Sequence, residues 1–170
     1  MDNKQKEMLE GLKLAIKGER DGHSFYKMAA RTTEDSKGQE VFDTLASEEL
    51  DHMRFLKEQY DSILKTGKPN TSINFGSKLD LSGMSPIFSD DLKSRLTDAH
   101  MEMSALSIGI QLELDAMKFY KEQSEKAEVE EVSKFYDELA EWEKGHYQAL
   151  LNQQESLRDD YWDSAGFAPF

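Results

Sequence analysis

The chain repeats itself at a constant offset, and this repeat constrains the fold more than any other feature of the sequence. Five landmarks in the first half recur 94 residues later without a gap: Glu19 as Glu113, Phe25-Tyr26 as Phe119-Tyr120, Leu45-Ala46 as Leu139-Ala140, Glu49 as Glu143 and His52 as His146. Because the matched residues keep one spacing throughout, we expect the two halves to fold alike.

Apolar residues recur every three or four positions in four stretches, which predicts four amphipathic helices. We expect them at residues 3–32, 36–66, 90–126 and 129–158. Short connections within each half predict two antiparallel helical hairpins, 3–66 and 90–158. The sequence therefore favours an all-α protein in which a four-helix bundle fills residues 1–158.

Residues 67–89 connect the two hairpins and show no helical period. They contain two prolines and three glycines, and at about 3.3 Å per residue they can run the length of the bundle. The sequence thus predicts a long crossover, the connection typical of ferritin-like bundles. Residues 159–170, which are rich in acidic and aromatic side chains, are expected to form a separate C-terminal tail that packs on a neighbouring surface.

Composition excludes several classes of protein. With a net charge of −13, the chain lacks the clustered cations that bind nucleic acid. It has no cysteine, and therefore no thiolate metal site. No apolar run is long enough to cross a membrane, and the polar N-terminus is not typical of a signal peptide. We expect a single cytoplasmic domain.

Each half carries a lone glutamate followed by a Glu-x-x-His motif, whose two side chains share one helix face. All four glutamates occupy positions that the helical pattern otherwise gives to apolar residues. Four buried carboxylates would repel one another, whereas two divalent cations would neutralise them. The pattern predicts a two-metal site, with iron as the metal and manganese as the alternative. The predicted ligands are Glu19, Glu49, His52, Glu113, Glu143 and His146.

Other polar residues near these motifs are assigned different roles. Tyr26 and Tyr120 lie two turns beyond the lone glutamates, where they either pack in the core or donate to a metal-bound oxygen species as catalytic groups. His23 is expected to be a hydrogen-bonded histidine near the site. Glu48 and His100 are expected to face solvent.

On these motifs the chain resembles the rubrerythrin branch of the ferritin-like superfamily over residues 10–157. The resemblance implies a carboxylate-bridged di-iron centre that reacts with peroxide or dioxygen. Glu49 and Glu143 would bridge the metals, with the remaining ligands divided between them: Glu19 and His52 on one iron, Glu113 and His146 on the other. Two features depart from the family, namely the absence of a cysteine-ligated iron domain and Ala116 where a further glutamate is expected.

The leading functional hypothesis is a non-haem di-iron oxidoreductase of the peroxidase or ferroxidase type, which takes electrons from a separate donor protein. The alternative is an iron-binding or ferroxidase protein for storage or sequestration. A hydroxylase acting on an organic substrate would need an apolar pocket beside the metals, and a metal-free bundle would keep the ligands only as a polar core. We expect a homodimer.

Overall fold

The computed structural model describes residues 3–73, 86–94 and 99–165, with side chains except at 93–94 and 160–165. Within these ranges the chain is all-α and contains no strand. The helices are α1 (Asn3–Thr32), α2 (Ser36–Thr66), α3 (Asp90–Ser94), α4 (His100–Lys126) and α5 (Glu130–Ala165). Helix α1 packs along α2 and α4 along α5, which confirms the predicted all-α bundle of two hairpins.

The boundaries of α2 follow from local chemistry. Asp35 caps its first turn by accepting a hydrogen bond from the backbone N–H of Gly38 at 2.8 Å. At the other end Gly67 adopts the left-handed conformation with φ 73°, and its N–H donates to the carbonyl of Ile63. Only residues 33–35 separate α1 from α2, so the two helices must run antiparallel.

Two helix boundaries differ from those predicted. Where the sequence predicts one helix over 90–126, the structure has the short α3, a non-helical Ala99 and then α4. The reason is burial at the described positions, since Phe88, Leu92 and Ala99 are at most 3% exposed and pack in the core. Helix α5 continues to Ala165 instead of ending at residue 158, so the start of the predicted tail is helical.

The rest of the predicted crossover and tail cannot be compared with the structure. Residues 74–85 and 166–170 lie outside the described residues. The long crossover and the division of the chain at residue 158 therefore stay predictions. Among the described helices, none is long and apolar enough to span a membrane.

The apolar core consists of two clusters, and along each of the four long helices the predicted ligands lie between them. Each cluster holds one member of every repeat-related pair. Seven such pairs of buried residues divide in this way: Leu12 and Leu106, Tyr26 and Tyr120, Val41 and Phe135, Phe42 and Tyr136, Leu45 and Leu139, Leu56 and Leu150, and Ile63 and Leu157. Residues that are 94 positions apart therefore lie in opposite clusters. A pseudo-twofold axis through the ligand layer would relate them in this way.

Contacts repeat as well as positions. Tyr26 stacks on Phe42 with ring centroids 6.3 Å apart, and the corresponding Tyr120 stacks on Tyr136 at 6.0 Å. On the surface, the ion pair between Lys27 and Asp43 recurs between Lys121 and Asp137. The two hairpins are therefore alike at the level of single side-chain contacts, as the sequence predicts.

Candidate metal centre

The four long helices bring all six predicted ligands together in the interior. Each ligand is at most 4% exposed: Glu19 on α1, Glu49 and His52 on α2, Glu113 on α4, and Glu143 and His146 on α5. Every helix supplies one carboxylate because the polar residue replaces one apolar position on its buried face. The result is a polar layer between two apolar clusters.

The six side chains form two overlapping groups that have the composition of metal sites. In each group the candidate ligand atoms lie within 4.8 Å of one another. The first group is Glu19, Glu49, His52 and Glu143, and the second is Glu49, Glu113, Glu143 and His146. Glu49 and Glu143 belong to both groups, which is the arrangement expected of carboxylates that bridge two cations.

Distances within the cluster show how the shared carboxylates are placed. Glu143 directs Oε1 toward Nδ1 of His52 at 3.1 Å and Oε2 toward Nδ1 of His146 at 3.2 Å. Oε2 of Glu49 lies 3.7 Å from Nδ1 of His52, and its Oε1 lies 3.5 Å from Nδ1 of His146. Each shared carboxylate therefore faces both imidazoles with different oxygens.

The two remaining carboxylates each face one imidazole only. Glu19 lies 3.4 Å from Nδ1 of His52, and Glu113 lies 3.6 Å from Nδ1 of His146. The arrangement is two-sided, with one outer carboxylate and one imidazole at each end and two carboxylates in between. It has the same order as the ligand set that the family resemblance implies.

Two buried tyrosines hold the outer carboxylates from opposite halves of the repeat. The hydroxyl of Tyr26 donates a hydrogen bond to Glu113, and that of Tyr120 donates to Glu19. Both rings also pack in the apolar clusters. The hydroxyls thus contact carboxylates of the cluster, and a catalytic role for either tyrosine stays a prediction.

Glu48 is not solvated, contrary to expectation. It is 5% exposed, and its Oε2 accepts a hydrogen bond from Nε2 of His146 at 2.6 Å. The prediction was wrong because it assumed one buried face for α2, whereas α2 packs against α1 and also meets α5. A signal was present, since the residue 94 positions later is Trp142, which lies edge-on against His52 with ring centroids 5.2 Å apart.

The other two histidines lie where they are expected. His23 is half-buried, and its Nδ1 is 2.7 Å from the carbonyl oxygen of Ala46. His100 is exposed at the start of α4. Neither belongs to the two groups of candidate ligands.

Burial and mutual repulsion shift the proton affinities of the outer carboxylates. Burial raises the pKa of Glu19 well above its ordinary value, and the charges of Glu143 and Glu49 raise it further. The pKa of Glu113 is also raised, first by burial and then by the charge of Glu49. Without cations, burial and mutual repulsion therefore favour the protonated form of the outer carboxylates.

The pKa values of the shared carboxylates are lowered, and those of the imidazoles are raised. Burial opposes ionisation of Glu49, but contacts with Glu19 and both imidazoles hold its pKa well below the ordinary value. The pKa of Glu143 is also lowered, because the imidazoles outweigh burial and the charge of Glu49. Burial lowers the pKa of His52 and of His146, yet the surrounding carboxylates raise both well above the ordinary value.

The donor set fits a pair of divalent cations. Several buried polar atoms form no hydrogen bond within the described residues: Oε2 of Glu19, both carboxylate oxygens of Glu143 and Nδ1 of His146. A buried polar atom without a partner costs about 1–3 kcal/mol, so this cluster needs a ligand of opposite charge. Four carboxylates and two divalent cations sum to zero, and oxygen with imidazole nitrogen suits iron or manganese.

The fold and the site together define a ferritin-like bundle with a candidate metal centre of carboxylates and imidazoles. The family model described as Rubrerythrin matches residues 10–75 and 104–164, and the chain therefore belongs to the rubrerythrin family. The matched segments contain all six predicted ligands. Comparison with curated proteins gave no significant match, and neither did comparison with solved structures.

Proposed function

We propose that this protein is a di-iron oxidoreductase that reduces peroxide or dioxygen with electrons from a separate donor protein. One observation carries the proposal: Glu49 and Glu143 each face both His52 and His146 inside a buried cluster of a rubrerythrin-family chain. Burying such a cluster without cations costs much free energy, and two bound divalent cations would remove most of that cost.

The distances within the cluster support a division of the ligands between two iron ions. Glu49 and Glu143 would bridge the pair. The other ligands would serve one iron each: Glu19 and His52 the first, Glu113 and His146 the second. When bound, the metal pair supplies electrons and Lewis acidity to the oxidant.

The surrounding residues orient this set and control its protons. Tyr26 and Tyr120 donate to the outer carboxylates and so fix their direction. Burial raises the pKa of Tyr26, so its phenol keeps the proton and stays a donor. The apolar clusters on either side exclude bulk water from the ends of the site.

The electrons consumed in the proposed reaction must come from a donor. Reduction of one peroxide to two waters consumes two electrons and two protons. The 170 residues contain no cysteine, so a thiolate-ligated iron centre within this sequence is excluded as the source of those electrons. A separate donor protein is therefore part of the proposal.

Stopped-flow oxidation of the iron-loaded, reduced protein tests the proposal. One equivalent of peroxide should oxidise two Fe²⁺ per chain, and Glu143→Ala should abolish this reaction while Glu138→Ala, at an exposed position of the same helix, retains it. Iron oxidation that peroxide does not accelerate would contradict peroxide reduction. Light scattering separates the storage alternative, because storage requires a closed shell of many subunits.

A further inference from the structure

A cavity of about 430 Å³ lies between α1 and α4, beside the carboxylate cluster. Its inner end is formed by three carboxylates of that cluster, those of Glu19, Glu49 and Glu113. Its walls are mainly apolar and include Leu112 and Phe119. The volume falls within the range of about 300–1,000 Å³ that is common for small-molecule sites.

Small residues keep this space open. Gly18 lines the cavity, and a Cβ atom added there would meet no atom within 4 Å. Gly22 also lines the cavity, and a Cβ atom added there would lie 3.5 Å from the carboxylate carbon of Glu49, so the cavity reaches the cluster at this position. On the opposite wall, Ala116 lies one turn after Glu113, where a longer side chain would enter the same space.

We propose that this cavity binds a small, uncharged organic molecule with an apolar body, beside the candidate metal centre. Binding itself requires no metal, whereas a role of this molecule as substrate rests on the proposed function. A molecule in this position would lie against Glu19 and Glu113, the outer glutamates, and against Tyr26 and Tyr120, all of which line the cavity.

The cavity disfavours ions. An anion would meet the exposed Asp21 and Asp115 at the rim, and the apolar walls would desolvate its charge. An organic cation gains little at the inner end, because two bound divalent cations already neutralise the cluster, and apolar walls would desolvate its charge. A neutral molecule avoids both costs and still buries its apolar surface.

Calorimetric titration with three probes of equal chain length tests this selectivity. The probes are hexan-1-ol, hexanoate and hexylamine, added to the full chain as purified, with metal content measured in the same sample. Hexan-1-ol should bind saturably at one site per chain, and the two ions at least tenfold more weakly. Binding of hexan-1-ol that does not saturate, or equal binding of all three probes, would overturn the proposal.

Filling the cavity gives the second test. Gly18→Leu should weaken hexan-1-ol binding at least tenfold with metal content unchanged, because the new side chain occupies open space beyond the ligands. Ala116→Met, which narrows the opposite wall, should act in the same direction. Ser24→Leu is the matched control, since Ser24 is exposed on α1 and does not line the cavity.

The outcomes separate this inference from the proposed function. The cavity site is overturned if metal-loaded protein binds no hexan-1-ol, or if both cavity variants bind it as tightly as the unsubstituted protein does. Either result leaves the di-iron proposal standing. Metal-free protein that binds hexan-1-ol and loses it in Gly18→Leu supports the cavity site even if the di-iron proposal fails.

Discussion

Glu48 accepts a hydrogen bond from Nε2 of His146 at 2.6 Å, whereas the other half of the repeat has a tryptophan in place of this carboxylate. The position equivalent to Glu48 is Trp142, whose ring lies edge-on against His52. A carboxylate on Nε2 holds a proton there, so that Nδ1 of His146, which faces the cluster, would be the nitrogen available to a bound cation. The two candidate metal positions therefore differ in what surrounds their imidazoles.

Removing this carboxylate should weaken one metal position more than the other. Glu48→Ala is expected to lower the affinity of the position that contains His146 by about 10–100-fold. Cobalt(II) titration followed by visible absorption would then resolve two unequal sites. Glu40→Ala, at an exposed position of the same helix, is the control. Equal weakening of both sites, or no weakening, would show that Glu48 does not orient His146.

Shared and outer carboxylates should differ in how many metals their loss releases. Glu143 faces both imidazoles, so Glu143→Ala should bind neither metal tightly. Glu19 faces only His52, so Glu19→Ala should retain close to one metal per chain. Elemental analysis of the purified variants measures this directly, with Glu138→Ala as control. Identical metal content in the two ligand variants would be inconsistent with the bridging assignment.

The two tyrosine hydroxyls should contribute similarly to stability because the repeat relates them. Tyr26→Phe and Tyr120→Phe each remove a donor to a buried carboxylate, which should lower the free energy of unfolding by about 1–3 kcal/mol. Denaturant unfolding of the metal-loaded variants measures the loss. Tyr147→Phe, at a half-buried position, should change little. A loss confined to one of the two tyrosines would contradict their symmetric role.

Metal-free protein should become more stable on mild acidification. The pKa values of Glu19, Glu113, His52 and His146 are raised in the folded state, so the folded protein binds more protons than the unfolded chain. Stability is therefore gained as pH falls from neutral toward about 4.3, the ordinary pKa of glutamate in the unfolded chain. The lowered pKa values of Glu49 and Glu143 act against this only below about pH 4.3, where glutamates of the unfolded chain take up protons.

Melting temperatures of metal-free protein across this pH range test the sign. Glu19→Gln with Glu113→Gln should flatten the dependence, because amides cannot take up the protons. Metal-loaded protein should respond in the opposite direction, since protons compete with cations for the ligands. A melting temperature of the metal-free protein that falls on acidification would mean that the carboxylates are not crowded together.

The repeat is the reason that the all-α fold and the convergence of the six candidate ligands could be predicted from sequence. A constant offset places residues such as Glu19 and Glu113 in equivalent environments, so the second half tests the interpretation of the first. In the structure the two halves also share single contacts, such as the ion pairs that Lys27 forms with Asp43 and Lys121 forms with Asp137. The role of each ligand toward a metal remains a prediction.

Features outside the repeat were harder to predict. Helical periodicity assigns one buried face to each helix, whereas a helix in a bundle meets two neighbours, so Glu48 was placed in solvent. The break before α4 depends on the packing of Phe88 and Leu92 in the core, which the local pattern does not encode. The cavity beside Gly18 lies between α1 and α4. Its size depends on how far apart the two helices pack, which the sequence of either helix alone does not determine.

Anomalous diffraction is the most direct test of a two-metal centre in this chain. Crystals of protein purified without added metal, measured on both sides of the iron absorption edge, should show two iron peaks per chain. The peaks should lie about 3.5–4 Å apart, as in paired metal sites, with Glu49 and Glu143 contacting both. A single peak, peaks outside this carboxylate layer, or no anomalous signal from iron or manganese would contradict a two-metal centre held by these six residues.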